Sequence, residues 1–453
     1  MKWLVRARFG LCAGLVLCLC GCQGLVAGGS QANPQADPPN LQTIQHIIVL
    51  VQENRSLDTY FGRLNQYWQA NGYAAVDFDG MPATASNPSA DGTSTVNAFH
   101  LSTVCTQNTS PSWNESHVDW NRQNPTSSTA TLDGYVLTAA TYAQQAPANE
   151  QPIYDTAGLR AMGYYDGSDL NYYYFMASNF ATSDRWFSPV MSRTQPNRLF
   201  LLAATSAGHV YPPSTPLGNK TIFDLLDAAG VSWKIYETDP GTTFLNYFQP
   251  YASQHAANIV PVSQYLTDVQ NGTLPAVAMI EGGYNSGRDE HPNNNIQTGA
   301  AYAASLINPL MASSSWIHSV FILTYDEGGG LYDHVAPQAA VSPDGIAPVD
   351  LQSGDFCTTG GGANCDFTLT GYRVPLLVVG PFVKKHYVSH TVADYTAILK
   401  LIETRFKLPS LTKRDAAQMD MSEFFDFKGA PWVKPPAPPA QATTGVCDFQ
   451  KLQ

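Results

Sequence analysis

Short runs of apolar residues, each followed by polar residues, predict the strands of a buried sheet. Residues 47–51 are Ile, Ile, Val, Leu and Val, and the run stops at Gln52. A run without a polar position is typical of a strand that is covered on both faces. Similar runs predict further strands at residues 233–236, 276–280, 321–324 and 376–379.

Helix signals lie between these runs. The clearest predicts a helix over residues 221–229, with Thr221 at its start, Leu225 and Leu226 inside it and Gly230 at its end. Further helices are predicted at residues 172–177, 197–205 and 397–406. Strands that alternate with helices are typical of a mainly parallel sheet, so the predicted fold class is an α/β sandwich.

Two of the predicted strands end in a pair of oxygen-bearing side chains. Glu53 and Asn54 follow the first strand, and Asp326 and Glu327 follow the strand at 321–324. Open α/β sheets bind ligands at the carboxyl ends of their strands. Carboxylate and amide oxygens suit calcium, magnesium or manganese and are accepted by zinc, so a shared divalent cation is one interpretation. The other interpretation is structural. It places an ordinary helix start after the first strand and a turn after the second.

A threonine precedes one of the predicted helices. Pro196 suits the first turn of a helix, so we expect Thr194 just before the helix N-terminus. Free N–H groups at such an end favour an oxyanion or a phosphate. A hydroxyl there, beside a divalent cation, can attack phosphorus. The other interpretation is an ordinary N-cap threonine.

Two histidines stand near acidic residues in loops that follow apolar runs. His291 comes shortly after Asp289, and His334 comes directly after Asp333. A charged imidazole can bind phosphate oxygens, and it can give a proton to a leaving alkoxide. A structural role is the alternative for each. A third histidine, His117, lies between two tryptophans and is most simply part of a packed aromatic loop.

Composition narrows the choice of partners. The 453 residues carry a formal net charge of −12, and only 13% of them are charged. This length allows one large α/β domain or two ordinary ones. A nucleic acid requires a basic surface, so the charge argues against such a partner. An anionic substrate stays open, because a bound metal can dominate the local charge.

The N-terminus has the pattern of an export signal. Basic residues precede a short apolar stretch at residues 11–20, which is too short to span a bilayer comfortably. Residues 1–22 are predicted to be a signal peptide, and its end resembles a bacterial lipobox with Cys22 as the lipidated residue. Cleavage near Ala27 and release is the alternative. We therefore predict an exported protein that touches a membrane only through this anchor.

Three further segments have biased composition. Residues 23–42 are predicted to be a flexible tether, residues 79–130 a surface insertion and residues 431–453 a proline-rich tail. An even number of cysteines beyond the signal predicts two disulfides in an exported chain. Cys357 and Cys365 are the easiest pair, the other two cysteines are Cys105 and Cys447, and free thiols are the alternative.

The motifs of the chain, taken in order, resemble those of a bacterial phosphoesterase family. This family contains phosphatidylcholine-type phospholipases C and a branch of acid phosphatases, within the alkaline-phosphatase-like superfamily. The resemblance covers most of residues 44–427, and it implies a phosphoesterase domain over residues 43–430. The fold that it implies is an alkaline-phosphatase-like three-layer α/β sandwich with a mainly parallel central sheet and long loop insertions. It rests on the segments HIIVLVQENRSLDTYFG, MGYYDGSDLNYYYFMASNF, RTQPNR, DEHP, TYDEGGGLYDHVAP, GYRVPLLVVGPFV, VSHTVADYTAILKLIETRF and RDA.

The resemblance assigns roles to the same residues that the pattern singles out. Thr194 looks like the nucleophile and also a metal ligand, and Asn54 looks able to contact a phosphoryl oxygen. The implied metal ligands are Glu53, Asn54, Asp326 and Glu327. The implied polar groups around the phosphate are Asp289, His291 and His334.

Two positions depart from the family pattern. The family often shows a His-x-Trp-x-x-x-His element, in which Trp113 and His117 fit here while Pro111 replaces the first histidine. By this match His117 is implied in substrate binding. Tyr395 stands where the family commonly has histidine. Both departures concern substrate choice more than catalysis.

The predicted function is a metal-dependent phosphoric ester hydrolase that forms a phosphothreonine at Thr194. His291 or His334 would protonate the leaving oxygen. The expected cofactor is one divalent ion (calcium, magnesium, manganese or zinc), and the expected substrate is a phosphate ester, including a phospholipid. Phospholipase C-like and acid phosphatase-like activities both remain open. The alternatives are a sulfatase-like or phosphomutase-like relative, and a catalytically silent surface-binding lipoprotein.

Overall fold

The strands of the molecule are defined in a computed structural model that describes residues 40–358 and 361–453. The predicted signal peptide, its Cys22 and all but the last residues of the predicted tether lie outside the described residues. The strands are β1 His46–Gln52, β2 Ser86–Pro88, β3 Thr95–Asn97, β4 Phe99–His100, β5 Gly163–Tyr164, β6 Ala181–Ser183, β7 Trp186–Phe187, β8 Trp233–Glu237, β9 Ile259–Pro261, β10 Val277–Glu281, β11 Ser319–Tyr325, β12 Leu376–Val379, β13 Tyr387–Ser389 and β14 Ala393–Asp394.

One large sheet organises the molecule. It has 8 strands in the order β13-β6-β12-β11-β1-β10-β8-β9. β1 lies inside the sheet and pairs in parallel with β10 on one side and with β11 on the other. β12 is antiparallel to both of its neighbours, and the remaining pairs are parallel. The predicted α/β class with a mainly parallel central sheet is therefore confirmed.

Helices connect and cover the strands. The α-helices are α1 Leu57–Phe61, α2 Leu64–Ala70, α3 Trp113–Trp120, α4 Tyr135–Gln145, α5 Asn171–Asn179, α6 Thr194–Ala203, α7 Ile222–Ala228, α8 Tyr251–Gln254, α9 Val262–Asn271, α10 Ile296–Ala312, α11 Thr396–Phe406 and α12 Lys413–Ala416. Short 3₁₀ helices cover Leu41–Thr43, Ala148–Glu150, Leu159–Met162, Phe244–Tyr247, Ala256–Asn258, Trp316–His318 and Ser422–Phe424. No helix in the described part of the chain is both long and apolar enough to cross a bilayer.

The strand and helix signals of the sequence correspond to real elements. Each of the five predicted strands overlaps an observed one, and β1 is buried along its apolar run, as a strand covered on both faces must be. The helix signal at residue 221 is also correct. Thr221 caps α7 by accepting a hydrogen bond from the Asp224 N–H, and the Asp224 side chain accepts from the Thr221 N–H in return.

Two predicted segments lie partly inside the molecule. Residues 79–130 include exposed turns at 91–95, but they also supply buried side chains, among them Leu101 and Trp113. The tail at 431–453 is held by a disulfide between Cys105 and Cys447. The second predicted pair, Cys357 with Cys365, is also present, so the prediction of two disulfides is confirmed.

Candidate active site

The ends of two neighbouring strands bring four polar side chains together. β1 and β11 pair in register, with Gln52 opposite Tyr325, so the residues that follow each strand are neighbours. The Asn54 N–H donates to Asp326 Oδ1 over 2.9 Å. We call the group formed by Glu53, Asn54, Asp326 and Glu327 the Glu53 cluster, and all four of its members are buried.

The turn that holds this cluster requires unusual backbone geometry. Asn54 has a φ of +59°, a left-handed conformation that asparagine tolerates better than most residues. Gly329, with a φ of +72°, packs directly against it, and a Cβ on Gly329 would lie 2.5 Å from the Asn54 carbonyl oxygen. The glycines that follow Glu327 therefore let the two loops approach each other.

Three oxygens of the Glu53 cluster have no hydrogen-bond partner in the described part of the chain. Asn54 Oδ1, Asp326 Oδ2 and Glu327 Oε1 are buried, and none of them accepts a hydrogen bond from a described residue. Burial and the charge of Glu53 raise the pKa of Asp326 well above its ordinary value. Burial and the charge of Asp326 do the same for the pKa of Glu327. Buried acceptors without donors are costly, and hard oxygen donors are what a divalent cation binds, so these residues fit such an ion.

Helix α6 presents the threonine to this cluster. The helix begins at Thr194 itself, with Arg193 as its N-cap residue, so the predicted start at residue 197 is three residues late. The Thr194 hydroxyl donates to Glu53 Oε2 over 3.3 Å. One turn later Arg198 donates to Glu53 Oε1 over 2.6 Å. Since residues i and i+4 share a helix face, α6 holds Glu53 at two points.

The threonine opens onto a cleft of about 590 Å³. Glu53, Asn54, Thr194 and His291 are the predicted site residues that line it. The remaining lining residues are Asn108, Thr109, Ser110, Pro111, Ser112, Tyr142, Pro147, Glu150, Arg193, Gln195, Phe244 and Tyr284. The segment 108–112, inside the predicted insertion, thus forms part of the cleft wall.

His291 is oriented by a carboxylate behind it. Asp289 Oδ2 lies 2.7 Å from His291 Nδ1, and His291 Nε2 lies 3.9 Å from Glu53 Oε2. Burial would raise the pKa of Asp289, but the hydrogen bond and charge of His291 outweigh it and lower that pKa. The sequence placed Asp289 beside the phosphate. In the structure it is 1% exposed and supports the ring that lines the cleft.

His334 lies elsewhere, in a second group of charged residues. Its Nδ1 is 2.7 Å from Asp58 Oδ2, and its Nε2 is 3.1 Å from Asp79 Oδ1. Arg373 contacts Asp333 Oδ1 over 2.8 Å and Asp58 Oδ1 over 3.0 Å. We call Asp58, Asp79, Asp333, His334 and Arg373 the Asp333 cluster.

The sequence predicts His334 beside the phosphate, and this role stays a prediction that the position of the residue does not favour. Both ring nitrogens already face carboxylates, and His334 is not among the residues that line the cleft. Burial would lower its pKa, but the hydrogen bond and charge of Asp58 outweigh burial and raise the pKa above the ordinary 6.5. A proton held this firmly between two carboxylates is poorly placed for a leaving group.

His117 is also not brought to the cleft. It is 0% exposed, and its Nδ1 and Nε2 lie 2.6 Å and 3.0 Å from the carbonyl oxygens of Trp113 and Asn364. Burial lowers its pKa, although the two carbonyl contacts oppose the shift. The aromatic-packing interpretation therefore describes His117 better than a role in substrate binding. Pro111, by contrast, does line the cleft.

Sequence reasoning missed Arg198. Its guanidinium neutralises Glu53 and also donates to the Val51 carbonyl, which ties α6 to the end of β1. The signal was present, because Arg198 stands four positions after Thr194 and must share its helix face. No comparable signal marks residues 108–112 as part of the cleft wall, because they belong to a segment that is rich in small polar residues.

Comparison with known proteins decides the family. The model of the Phosphoesterase family matches residues 44–409, which is most of the chain. This chain belongs to the phosphoesterase family. The Glu53 cluster, Thr194 and His291 all lie inside the matched region of this phosphoesterase.

Curated relatives agree with this assignment. The phosphoesterase is 27% identical to the hemolytic phospholipase C of Pseudomonas aeruginosa over 88% of this chain, and it spans 58% of that protein. It is 28% identical to phospholipase C B of Mycobacterium tuberculosis over 87% of this chain and 80% of that protein. Non-specific phospholipase C5 of Arabidopsis thaliana is 30% identical over 82% of this chain and 72% of its own length.

Solved structures also match parts of this chain, at much lower identity. A murine ectonucleotide pyrophosphatase/phosphodiesterase matches 57% of this chain and 95% of its own, with 12% identity and a TM-score of 0.36. A Vibrio parahaemolyticus protein of the alkaline phosphatase superfamily matches 79% of this chain and 78% of its own, with 10% identity and a TM-score of 0.34.

Proposed function

We propose that this phosphoesterase is an exported, metal-dependent hydrolase of phosphoric esters that works through a phosphothreonine at Thr194. The observation that carries the proposal is the set of three unpaired buried oxygens, on Asn54, Asp326 and Glu327, next to a carboxylate that accepts from the Thr194 hydroxyl. The names of the curated relatives, all phospholipases C, support the same reaction class.

The Glu53 cluster, with Thr194, would hold the cation. The proposed ligands are Glu53, Asn54, Thr194, Asp326 and Glu327, and calcium, magnesium, manganese and zinc all suit such oxygens. A divalent ion bound there would lower the pKa of the threonine hydroxyl and withdraw charge from a phosphoryl oxygen.

Residues of the protein supply the nucleophile, accept its proton and stabilise the charge on the phosphoryl oxygens. Thr194 Oγ attacks phosphorus while Glu53 Oε2, its hydrogen-bond acceptor, takes the hydroxyl proton. The free N–H groups at the start of α6 and the Asn54 amide stabilise the charge on the phosphoryl oxygens.

His291 carries the proton for the leaving group. As the bond from phosphorus to the leaving oxygen breaks, His291 Nε2 protonates that oxygen, with Asp289 stabilising the charged ring. The same nitrogen then accepts a proton from the water that attacks the phosphothreonine, and Glu53 Oε2 returns its proton to Thr194 Oγ as the bond from that oxygen to phosphorus breaks. His291 is the only histidine among the residues that line the cleft, so we assign the acid role to it and no longer to His334.

A phosphodiester substrate such as a phospholipid is favoured by the space around the threonine. The cleft adjoins a second cavity of about 320 Å³, and Asn108 and Glu150 line both. Cavities of ~300–1,000 Å³ hold drug-sized ligands, so there is room for groups on both sides of the phosphorus. A monoesterase, of the acid phosphatase type, would not need the second cavity. Membrane contact through Cys22 stays a proposal.

The deciding experiment replaces the nucleophile. Thr194→Ala should abolish turnover while the fold and the bound metal are retained. Diacylglycerol release from phosphatidylcholine and hydrolysis of nitrophenyl phosphate, assayed with one preparation, separate the diesterase from the monoesterase. Turnover at the wild-type rate in Thr194→Ala would refute the mechanism. Purified protein without a divalent ion would favour the silent surface-binding lipoprotein instead.

A further inference from the structure

The guanidinium of Arg193 has no hydrogen-bond, carboxylate or aromatic partner among the residues that the structure describes. Among the arginines of residues 40–358 and 361–453, the others each have a hydrogen bond, a carboxylate or an aromatic ring in contact with the guanidinium. Arg198 pairs with Glu53, and even the exposed Arg288 lies over the ring of Tyr302. A half-buried arginine with none of these contacts is unusual, because a guanidinium offers five donors.

The unpaired guanidinium belongs to a residue of the candidate active site. Arg193 is the N-cap residue of α6, directly before Thr194, and it lines the cleft. No lysine and no other arginine lines this cleft, and His291 is its only other basic residue. The unpaired donors therefore belong to the same cleft that Thr194 lines.

Arg193 places a positive charge in a cleft that otherwise carries the carboxylates of Glu53 and Glu150. Burial and Glu150 raise the pKa of Tyr142, which also lines the cleft, and the charge of Arg193 opposes this shift. Such a placement attracts an anion in a chain whose net charge is −12.

We propose that Arg193 is a substrate-binding residue that clamps a non-bridging oxygen of the phosphoryl group while Thr194 attacks. This inference rests on the proposed function. A planar guanidinium matches tetrahedral phosphate oxygens with two parallel N–H donors, which an ammonium group cannot do. The ligand is the phosphoryl group itself, so inorganic phosphate and a phosphate ester share the contact.

The test measures the binding of inorganic phosphate to the metal-loaded protein by isothermal titration calorimetry. Arg193→Met should raise the phosphate dissociation constant by about 10- to 100-fold, the range for loss of a charge-assisted hydrogen bond. Arg193→Lys should retain part of the affinity, because it keeps the charge and loses the paired donors. Metal content and the melting temperature should stay unchanged, because Arg193 contacts neither the Glu53 cluster oxygens nor another side chain by hydrogen bonding.

The matched control is Arg288→Met, which removes the same charge from an exposed arginine outside the cleft lining. It should bind phosphate as the wild type does. Wild-type affinity in Arg193→Met, or an equal loss in Arg288→Met, would overturn the inference. If Arg193→Met does not fold, Arg193→Lys decides, and unchanged affinity in that variant is the contrary result.

The Thr194→Ala variant separates this inference from the proposed mechanism. It should bind inorganic phosphate and lack turnover. If it turns over substrate normally while Arg193→Met still weakens phosphate binding, the nucleophile is wrong and the arginine contact stands. If Thr194→Ala is inactive and Arg193→Met binds phosphate normally, the mechanism stands and the arginine contact is wrong.

Discussion

The Glu53 cluster and the Asp333 cluster both join residues after β1 to residues after β11, but their buried charges are compensated differently. The Asp333 cluster also includes Asp79, which follows α2, and Arg373, which precedes β12. In the Asp333 cluster, Arg373 and His334 supply the positive charge from within the protein. In the Glu53 cluster the guanidinium of Arg198 forms an ion pair only with Glu53. One carboxylate oxygen of Asp326 and one of Glu327 accept no hydrogen bond from a described residue.

By our proposal, this difference distinguishes a structural cluster from a metal-binding one. Ligand atoms of Asp58, Asp333 and His334 lie within 4.8 Å of one another, a spacing that could hold a metal. Arg373 already occupies that position, since it contacts both carboxylates. Close spacing of acidic groups is therefore weaker evidence for a cation than the absence of a counter-charge. In our proposal a bound cation compensates the acidic side chains of the Glu53 cluster that Arg198 does not pair with.

The largest effect is expected when the Asp333 cluster loses the guanidinium of Arg373. Arg373→Met leaves Asp58 and Asp333 buried without their guanidinium, so we expect a loss of about 3–5 kcal/mol in the free energy of unfolding. Denaturant titration measures this loss. Arg288→Met, which disturbs no buried carboxylate, should change the same quantity by less than about 0.5 kcal/mol. A stability equal to that of the wild type in Arg373→Met would show that the Asp333 cluster is not held by charge pairing.

The second test exchanges one carboxylate for an amide in each cluster. Asp326→Asn removes a charged oxygen ligand, so it should lose the bound divalent ion and reduce turnover by about 10²–10³-fold. Asp333→Asn should keep the divalent ion of the Glu53 cluster, because the carboxylate that this substitution removes faces Arg373. Elemental analysis of the folded variants after dialysis gives metal per chain. Equal metal loss in both variants would contradict the division between the clusters.

The strand ends could be predicted because a strand that is buried on both faces has an uninterrupted apolar run. Glu53 and Asp326 come shortly after two such runs in the sequence. It missed α10, the helix Ile296–Ala312, because that helix is buried on most sides and is rich in alanine, so it has no polar face to set a period. It also missed the three-residue strands β6 and β13, which are too short to show a pattern.

The choice between the histidines could not be predicted from local sequence. His291 and His334 both stand near acids in loops after apolar runs. What separates them is Arg373, which brings Asp58 and Asp333 together and leaves His334 between Asp58 and Asp79. That contact joins segments far apart in the chain, and it depends on the packed fold. The surroundings of His117 could not be predicted for a similar reason, because its partner Asn364 lies in a distant loop.

The smallest expected effect concerns the pH dependence of stability. His334 has a folded-state pKa above its ordinary 6.5, because its contacts with Asp58 outweigh burial. Its stabilisation is therefore fully present below pH 6.5 and is lost as the pH rises through the folded-state pKa. We expect the free energy of unfolding to fall less steeply above pH 6.5 in His334→Gln than in the wild type.

His117 provides a control of opposite sign. Burial lowers its folded-state pKa, so its contribution is present above pH 6.5 and is lost as the pH falls. His117→Gln should therefore flatten the profile below pH 6.5 and leave the slope above it unchanged. Denaturant titrations from acid to mildly alkaline pH measure both slopes. If His334→Gln keeps the wild-type slope above pH 6.5, the imidazole does not carry a proton between Asp58 and Asp79. The Asp333 cluster would then rely on Arg373 for its positive charge, and its contrast with the Glu53 cluster would rest on that one guanidinium.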